Sequence, residues 1–273
     1  MRQSKWQSSI FASQPAVLRY NAAMTRSPSH SQAVLITGGA IRLGRHTALH
    51  LAAQGWNVAI HYHHSQSEAE ATTAELLKCG IKATAIQGDL TQESCLKRLI
   101  PEAEDKLAQP ITALVNNAAM FQKDSIETFT AESWLQHMQI NSYAPLRLIS
   151  EFASHLPESS NGAVVNLIDG CKGMCLSPAF LSYSLSKNAL AEATKLLALS
   201  LAPRIRVNGI SPGMTLPKAG EEAMFARLVS KLPLQQATHP QEIAEAIAYV
   251  LSATSMTGEI IALNGGAGLK NEI

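Results

Sequence analysis

The sequence predicts an α/β protein in which helices cover both faces of a doubly wound parallel sheet. From residue 33 onward, short apolar runs alternate with segments of helical period, as in repeated βα units. A glycine-rich turn stands directly between the first apolar run and the first helical segment. No linker or change of composition divides residues 33–273, and we therefore expect one domain.

Seven short apolar runs are predicted to be strands because turn residues bound them and β-branched residues are frequent in them. They span residues 33–37, 57–62, 82–87, 111–116, 163–168, 204–210 and 259–263. The segments between them repeat apolar residues at helical spacing and are predicted to be helices. These span residues 43–54, 68–78, 93–107, 131–155, 183–201, 221–231 and 241–251. Right-handed crossovers then make the sheet parallel.

The composition excludes several kinds of partner. Lys and Arg number 22 against 21 Asp and Glu, so the net charge of +1 predicts no binding to nucleic acid. Hydrophobic residues make up 46%, which suits a protein with a sizeable core. No apolar run approaches the roughly 18–20 residues of a membrane span. We therefore expect a cytoplasmic protein with a small-molecule substrate and no membrane contact.

The four cysteines, Cys79, Cys95, Cys171 and Cys175, predict neither a metal site nor a disulfide framework. Three residues separate Cys171 from Cys175, but the chain has no second such pair and no histidine nearby. A disulfide framework is not expected in a chain of this size. The simplest interpretation is that all four are reduced thiols.

Residues 1–32 differ in composition from the rest of the chain. They contain no Asp or Glu and are rich in serine, and their charges are those of Arg2, Lys5, Arg19 and Arg26. This composition fits a disordered tail or an amphipathic transit peptide for an organelle. A third interpretation is that translation naturally starts at Met24. We expect a non-structural tail and keep organelle targeting as an alternative.

The turn over residues 37–44 predicts a Rossmann-type site for a dinucleotide. Its glycines let the backbone approach a pyrophosphate, and the following helix offers free N–H groups and the positive end of its dipole. The strand–turn–helix context is what this motif requires, although a tight turn without a ligand is the alternative. The expected cofactor-binding residues here are Thr37, Gly38, Arg42, Leu43 and Gly44.

The end of the second strand indicates which dinucleotide is bound. NAD-binding domains usually place a carboxylate there for the ribose 2′-hydroxyl, but this segment contains His61, His63, His64 and Ser65 and no acid. Arg42, the serine and the histidines can donate hydrogen bonds to a 2′-phosphate. The sequence therefore predicts NADPH. A metal site from the three histidines is disfavoured, because alternation along a strand would splay them apart.

Two further strand ends carry candidate cofactor residues. Asp89 and Leu90 follow the third strand, where a carboxylate could meet the adenine amino group. Alternatively, Asp89 is the N-cap of the helix that begins near residue 93. Asn116 and Ala118 lie at the end of the fourth strand, at the sheet edge where doubly wound proteins bind their ligands.

A tyrosine and a lysine form the candidate catalytic pair. Tyr183 and Lys187 are four residues apart on a predicted helix, so their side chains share one face. A phenol, with a pKa near 10, becomes an effective acid–base catalyst when a neighbouring cation stabilises its phenolate. Asp169 ends the fifth strand at the same edge. Asn141 is unfavourable within a helix and indicates either a functional role or a kink.

Taken together, six motifs resemble the short-chain dehydrogenase/reductase family over residues 33–269. They are residues 37–44, residues 116–119, Asn141, the pair Tyr183 and Lys187, the pair Pro212 and Gly213, and residues 264–266. The resemblance implies that Asn141, Tyr183 and Lys187 are catalytic. It also implies that Tyr183, Lys187, Pro212 and Gly213 contact the cofactor, and that the protein is a homotetramer or homodimer.

Within that family, the chain looks most like the pteridine reductases and the related dihydromonapterin and dihydrofolate reductases. Arg42 begins an Arg-Leu-Gly sequence in the turn, and residues 61–65 read HYHHS, similar to HYHRS in pteridine reductases. Asp169 stands where most relatives have serine. Phe121 follows the Asn116 motif where those enzymes place a ring that stacks on the pterin. The resemblance implies that Arg42, Phe121, Asp169 and Tyr183 bind the substrate.

The chemistry of a pterin fits these residue types. Reduction of its C=N bond needs a hydride on carbon and a proton on nitrogen, which Tyr183 or Asp169 would supply. Dihydrobiopterin, dihydromonapterin and dihydrofolate are the expected substrates. Phe121 as a core aromatic residue and Asp169 as a loop cap are the simpler interpretations of those two residues.

Two other functions remain open. One is a carbonyl reductase acting on a 3-oxoacyl, sugar or other ketone substrate, from which Asp169 and Phe121 distinguish a pterin reductase. The other is a non-catalytic NADP-binding regulator, which is disfavoured because Tyr183 and Lys187 are both present.

Overall fold

The computed structural model describes residues 32–169 and 178–269, which contain a sheet of seven strands. The strands are β1 (Ala33–Ile36), β2 (Asn57–Tyr62), β3 (Ala83–Gln87), β4 (Ala113–Asn116), β5 (Gly162–Leu167), β6 (Ile205–Pro212) and β7 (Ile260–Leu263). Their spatial order is β3-β2-β1-β4-β5-β6-β7, and every neighbouring pair is parallel. The predicted doubly wound parallel sheet is therefore confirmed.

Eight α-helices and one π-helical turn lie within the described residues. They are α1 (Arg42–Ala53), α2 (Gln66–Leu77), α3 (Glu93–Leu107), α4 (Ala131–Met138), the π-helical turn Gln139–Tyr143, α5 (Ala144–His155), α6 (Leu181–Leu201), α7 (Glu222–Val229) and α8 (Pro240–Ser252). None of them is both long enough and apolar enough to cross a membrane.

The central strand β1 shows how the sheet is buried on both faces. Leu35 packs in one core with residues of α3, α5 and α6, whereas Val34 and Ile36 pack in a second core with residues of α1, α2 and α8. All four residues of β1 are fully buried. Successive side chains of a strand point to opposite faces, so an apolar run without alternation needs helices on both sides.

The order of the strands creates a switch point between β1 and β4. From β1 the chain proceeds outward through β2 to β3, then returns to pair β4 on the other side of β1. The loops that leave the carboxyl ends of β1 and β4 therefore diverge, which opens a crevice where doubly wound proteins bind ligands.

The single helix predicted over residues 131–155 is wrong. Residues Gln139–Tyr143 form a π-helical turn between α4 and α5, and Asn141 lies in it. The residue pattern keeps a helical period throughout, so periodicity could not reveal a local change of hydrogen-bond spacing. Such π-helical turns are frequent at functional sites.

The remaining predicted boundaries differ from the observed ones by a few residues at most, as expected where helix ends fray. Cys79 is exposed and Cys95 is buried, both as free thiols. The expectations for residues 1–31 and for Cys171 and Cys175 fall outside the described residues.

Candidate active site

A cavity of about 470 Å³ opens at the switch point of the sheet. It is lined by the turn after β1, the end of β2, the residues after β3 and the residues after β4. The cofactor residues predicted from the sequence that line it are Gly38, Arg42, Leu43, Gly44, His61, His63, His64, Ser65, Asp89, Leu90 and Ala118. The fold thus brings together side chains from four separate segments of the chain.

The turn between β1 and α1 depends on its glycines. Gly38 has a φ of +62°, a conformation that residues with a Cβ rarely adopt. A Cβ on Gly44 would lie 2.1 Å from the carbonyl oxygen of Gly38, so a side chain there would push the turn open. The N-terminus of α1 therefore faces the cavity with its backbone close to any ligand.

Thr37 supports the turn from the interior. Its hydroxyl accepts hydrogen bonds of 3.0 Å from the backbone N–H groups of Asn117 and Ala118. The Asn117 amide in turn donates to the carbonyls of Thr37 and Gly38, at 2.9 and 3.0 Å. Thr37 is buried and does not line the cavity, so it joins the two loops at the switch point.

His61 also acts on the turn through the backbone. Its Nδ1 accepts a hydrogen bond of 3.3 Å from the N–H of Gly38, and its Nε2 donates one of 3.0 Å to the carbonyl of Gly88. Burial lowers the pKa of this imidazole to about 4. A neutral ring with both nitrogens bonded to backbone is not the donor to a 2′-phosphate that the sequence predicted.

His63 and His64 lie beyond the end of β2, where strand alternation no longer applies. Their ring centroids are 3.6 Å apart, so the expectation that the histidines are splayed apart is wrong for this pair. Both are exposed at the mouth of the cavity. Residues 32–169 and 178–269 contain no group of three His, Cys, Asp or Glu side chains that could hold a metal ion.

The Asp89 carboxylate accepts a hydrogen bond of 2.9 Å from the backbone N–H of Thr91. Burial opposes the ionisation of Asp89. Hydrogen bonds from Thr91, together with the electrostatic effect of the nearby His63, nevertheless hold the pKa of Asp89 below its usual value. Gln92, not Asp89, is the N-cap of α3, so the interpretation of Asp89 as that cap is wrong. Its ionised carboxylate lines the cavity.

Besides Thr37, five predicted cofactor residues lie away from the cavity lining: Asn116, Tyr183, Lys187, Pro212 and Gly213. Asn116 is buried in the sheet, where its amide donates to Asn166 on β5 at 2.9 Å. Pro212 ends β6, and the N–H of Gly213 donates to the carbonyl of Leu263 at 2.8 Å. A Cβ on Gly213 would lie 2.6 Å from Asn264, so this glycine allows two segments to approach closely.

Tyr183 and Asp169 form the chemical centre of the site. Tyr183 lies in the first turn of α6 and is 6% exposed, and its hydroxyl donates a hydrogen bond to the Asp169 carboxylate. Lys187, one helical turn further on, is buried and donates to the carbonyl of Leu167 at 2.7 Å. The fold therefore joins an acid and a phenol that are fourteen residues apart in sequence.

Asn141 connects three segments around this centre. Its carbonyl oxygen accepts from the N–H of Met120 at 2.8 Å, and its amide donates to the carbonyl of Met120 at 2.9 Å. The same amide donates to the hydroxyl of Ser186 at 2.9 Å. Ser186 lies between Tyr183 and Lys187 on α6, so the π-helical turn fixes α6 against the segment after β4.

An aromatic cluster lies beside Tyr183. The rings of Phe121 and Phe180 are stacked, with centroids 4.6 Å apart and planes at 9°, and Phe121 meets the edge of Tyr183 at 4.6 Å. Phe121 is 43% exposed, which contradicts the interpretation of this ring as a core residue. No sequence pattern indicated Phe180, because the residues around it carry no motif.

Asp124 is a second residue that the sequence analysis missed. Its carboxylate accepts from the N–H of Ser182 at the start of α6 (2.9 Å) and from the hydroxyl of Ser133 in α4 (2.8 Å). Burial opposes its ionisation, but hydrogen bonds from Ser182 hold the pKa of Asp124 below its usual value. It fixes the helix end that carries Tyr183.

Arg42 and Lys218 connect the segment after β6 with the cavity and with the aromatic cluster, respectively. The Arg42 guanidinium donates to the carbonyls of Leu216 and Pro217, at 2.9 and 3.2 Å. The Lys218 ammonium lies over the ring of Phe121, 4.9 Å from its centroid. Arg42 therefore contacts both the cavity and the segment beside the aromatic cluster.

The fold and the site together define the class of protein. It is a nucleotide-binding oxidoreductase with a Tyr–Lys pair beside the carboxyl edge of its sheet. A family model described as enoyl-(acyl carrier protein) reductase matches residues 39–268. The chain belongs to the short-chain dehydrogenase/reductase family.

Known proteins similar to this chain differ in what they reduce. The crystal structure of FolM alternative dihydrofolate reductase 1 from Brucella canis, in complex with NADP, is 41% identical, has a TM-score of 0.82, and the match covers 89% of this chain and 96% of that one. An uncharacterized oxidoreductase of Escherichia coli, YgfF, is 31% identical over 85% of this chain and 98% of its own length. The 3-oxoacyl-[acyl-carrier-protein] reductase FabG of Staphylococcus epidermidis is 28% identical over 86% of this chain and 98% of its own length.

Proposed function

We propose that the protein is an NADPH-dependent reductase that transfers a hydride to a C=N bond of a pterin or dihydropterin. The observation that carries this proposal is the Asp169 carboxylate bonded to Tyr183 beside the exposed ring of Phe121. A site with a carboxylate and a flat apolar wall is complementary to a flat heterocycle with N–H donors. The 41% identity to a dihydrofolate reductase of the same fold supports it.

The cavity at the switch point fits the cofactor. The close turn at Gly44 leaves room for a pyrophosphate against the N-terminus of α1, and the end of β2 carries Ser65 and two exposed histidines instead of an acid. Arg42 can reach a phosphate from the position in which it bonds the segment after β6. NADPH supplies the hydride when bound.

Tyr183 and Asp169 then control one proton. Hydride addition to the carbon of C=N leaves a pair of electrons on the nitrogen, which takes a proton from the phenol or the carboxyl group. The Lys187 ammonium, one turn from Tyr183 on α6, favours the phenolate that forms when the phenol gives up its proton. Asp169 accepts hydrogen bonds from ring N–H or amino groups while it is ionised, and so orients the substrate.

A carbonyl reductase is the second candidate function. The similarity to a 3-oxoacyl-[acyl-carrier-protein] reductase and the matched family model favour it. Asp169 disfavours it, because the carbonyl-reducing relatives that the chain resembles have a serine hydroxyl at this position.

Oxidation of NADPH, followed by its absorbance, tests the proposal with dihydrobiopterin, dihydromonapterin, dihydrofolate and a set of ketones that includes a 3-oxoacyl thioester. We expect turnover of at least one dihydropterin and faster reaction with NADPH than with NADH. Tyr183→Phe serves as the inactive control. Turnover of ketones alone would leave the carbonyl reductase as the function.

A cytoplasmic location and a homotetramer or homodimer stay predictions from the sequence and the family resemblance.

A further inference from the structure

The ammonium of Lys218 lies at the rim of the aromatic cluster. Within residues 32–169 and 178–269, no ion pair includes Lys218, whereas Lys97, Lys106 and Lys195 each pair with a glutamate of their own helix. The contact that Lys218 makes is with the face of Phe121, 4.9 Å from the ring centroid. A cation–π contact at an exposed site is weak, so the ammonium can leave the ring for an anion.

The segment that carries Lys218 is fixed in place by hydrogen bonds on both sides of this residue. Arg42 bonds the two preceding carbonyls, those of Leu216 and Pro217, and the N–H of Glu221 donates to the carbonyl of Lys218 at 3.0 Å. Lys218 is therefore held at the site by its backbone while its side chain remains exposed.

A series of contacts thus connects two groups of opposite charge. The Asp169 carboxylate is bonded to Tyr183, and the ring of Phe121 touches both Tyr183 and the Lys218 ammonium. A ligand complementary to this arrangement has N–H donors at one end of a flat ring and a negative charge on the substituent at the other end.

We propose that Lys218 is a specificity residue that binds a carboxylate on the substituent of the substrate ring, so that the site favours a dihydrofolate-type substrate over pterins with neutral side chains. This inference rests on the proposed reduction of dihydropterins. Dihydrofolate and dihydrobiopterin share the pterin ring and differ in the charge of the substituent, which makes them a matched pair of substrates.

Steady-state kinetics of the full chain with NADPH test the proposal in three variants. Lys218→Met removes the charge and keeps the length, Lys218→Arg keeps the charge, and Lys78→Met removes an exposed lysine from the end of α2 as a control. In Lys218→Met we expect the KM for dihydrofolate to rise about two- to fivefold, the size of an exposed charge pair. The KM for dihydrobiopterin should change less than that for dihydrofolate, so the ratio of the two KM values rises in this variant.

Ionic strength provides a second readout, because salt screens exposed charges. The KM of the wild type for dihydrofolate should rise with added salt, that of Lys218→Met should rise less, and Lys218→Arg and Lys78→Met should follow the wild type. Equal changes of KM for both substrates, or no change for either, would overturn the role of Lys218. A wild type that reduces dihydrobiopterin alone would overturn it as well. A wild type that reduces dihydromonapterin but neither of these two would overturn the role of Lys218 alone, and one that reduces none of the three would refute the proposed function and the inference with it.

Discussion

At the scale of single residues, the hydrogen bond between Tyr183 and Asp169 couples the two groups that could deliver a proton. Lys187 adds a buried positive charge one helical turn away. The proposed reduction of a C=N bond therefore depends on Asp169 as well as on Tyr183.

Asp169→Ser tests this dependence. We expect turnover of dihydropterins to fall by about two to four orders of magnitude, because a hydroxyl is a much weaker acid than a carboxyl group and cannot pair with a ring amino group. NADPH binding, followed by fluorescence, should persist. Asp105→Ser, an exposed site on α3, is the matched control. Full activity of Asp169→Ser on dihydropterins would contradict the assigned role.

Phe121→Ala tests the aromatic wall. Loss of the ring should weaken dihydropterin binding by about 1–3 kcal/mol through lost stacking and apolar contact, with less effect on NADPH. Phe129, which is 42% exposed against 43% for Phe121, gives a matched control in Phe129→Ala. The measurement is the dissociation constant of the substrate by titration. Equal losses in the two variants would show that Phe121 has no specific part in binding.

At the scale of elements, the start of α6 is fixed from outside the helix. Phe180 precedes α6 without a side-chain cap of its own, and the Asp124 carboxylate bonds the N–H of Ser182 in its place. Asp124 also pairs by its backbone with the chain before α6, accepting from Leu181 and donating to Ala179. A negative charge at a helix N-terminus is favourable, so Asp124 stabilises the end that carries Tyr183.

Asp124→Ala should lower the free energy of unfolding by about 1–3 kcal/mol, because it removes a cap and leaves buried donors unpaired. It should also lower kcat, since the first turn of α6 loses its support. Asp124→Asn keeps an acceptor for Ser182, so its free energy of unfolding and its kcat should both fall less than those of Asp124→Ala. Urea unfolding and steady-state kinetics measure the two effects, with the exposed Asp105→Ala as control. A stable, fully active Asp124→Ala protein would show that Asp124 does not support the first turn of α6.

At the scale of the whole molecule, buried polar groups join the strands that meet at the switch point. Thr37 connects the loops after β1 and β4, and His61 connects the turn after β1 with the end of β3. Away from the switch point, Arg206 of β6 donates to the carbonyls of Val250 and Leu251 at the C-terminal end of α8, where a positive charge is favourable. The same bonds that shape the cofactor cavity therefore contribute to global stability.

His61 makes that stability dependent on pH. In the folded protein the pKa of His61 is lowered to about 4, against about 6.5 in an unfolded chain. Between these values the unfolded chain binds more protons, so stability is full above pH 6.5 and falls as the pH drops toward 4. The loss from this one group amounts to about 3 kcal/mol.

Urea unfolding from about pH 4 to about pH 7.5, a range that includes both pKa values, measures this loss. His61→Gln should flatten the decrease at acid pH and should weaken NADPH binding, because the turn loses a bond to Gly38. His155→Gln, an exposed site on α5, should leave both unchanged. An identical pH dependence in wild type and His61→Gln would show that His61 does not titrate on unfolding.

The sequence by itself determined the order of the strands along the chain, the turn between β1 and α1, and the pairing of Tyr183 with Lys187. These features are local, because side-chain period, glycine turns and helical spacing depend on residues a few positions apart. The resemblance to pteridine reductases indicated Asp169 and Phe121 as substrate-binding residues, a role that stays a prediction. It did not reveal the π-helical turn, since an apolar period continues across it.

Only the tertiary structure decided which distant groups meet. Arg42 bonds carbonyls 174 and 175 residues away, Asp124 caps a helix whose Ser182 is 58 residues away, and Lys218 lies over Phe121. Asn116 turned into the sheet toward Asn166, although its position at a strand end predicted a place beside the cofactor. Such contacts depend on the order of strands in space, and a linear pattern carries no distance between residues that crossovers bring together.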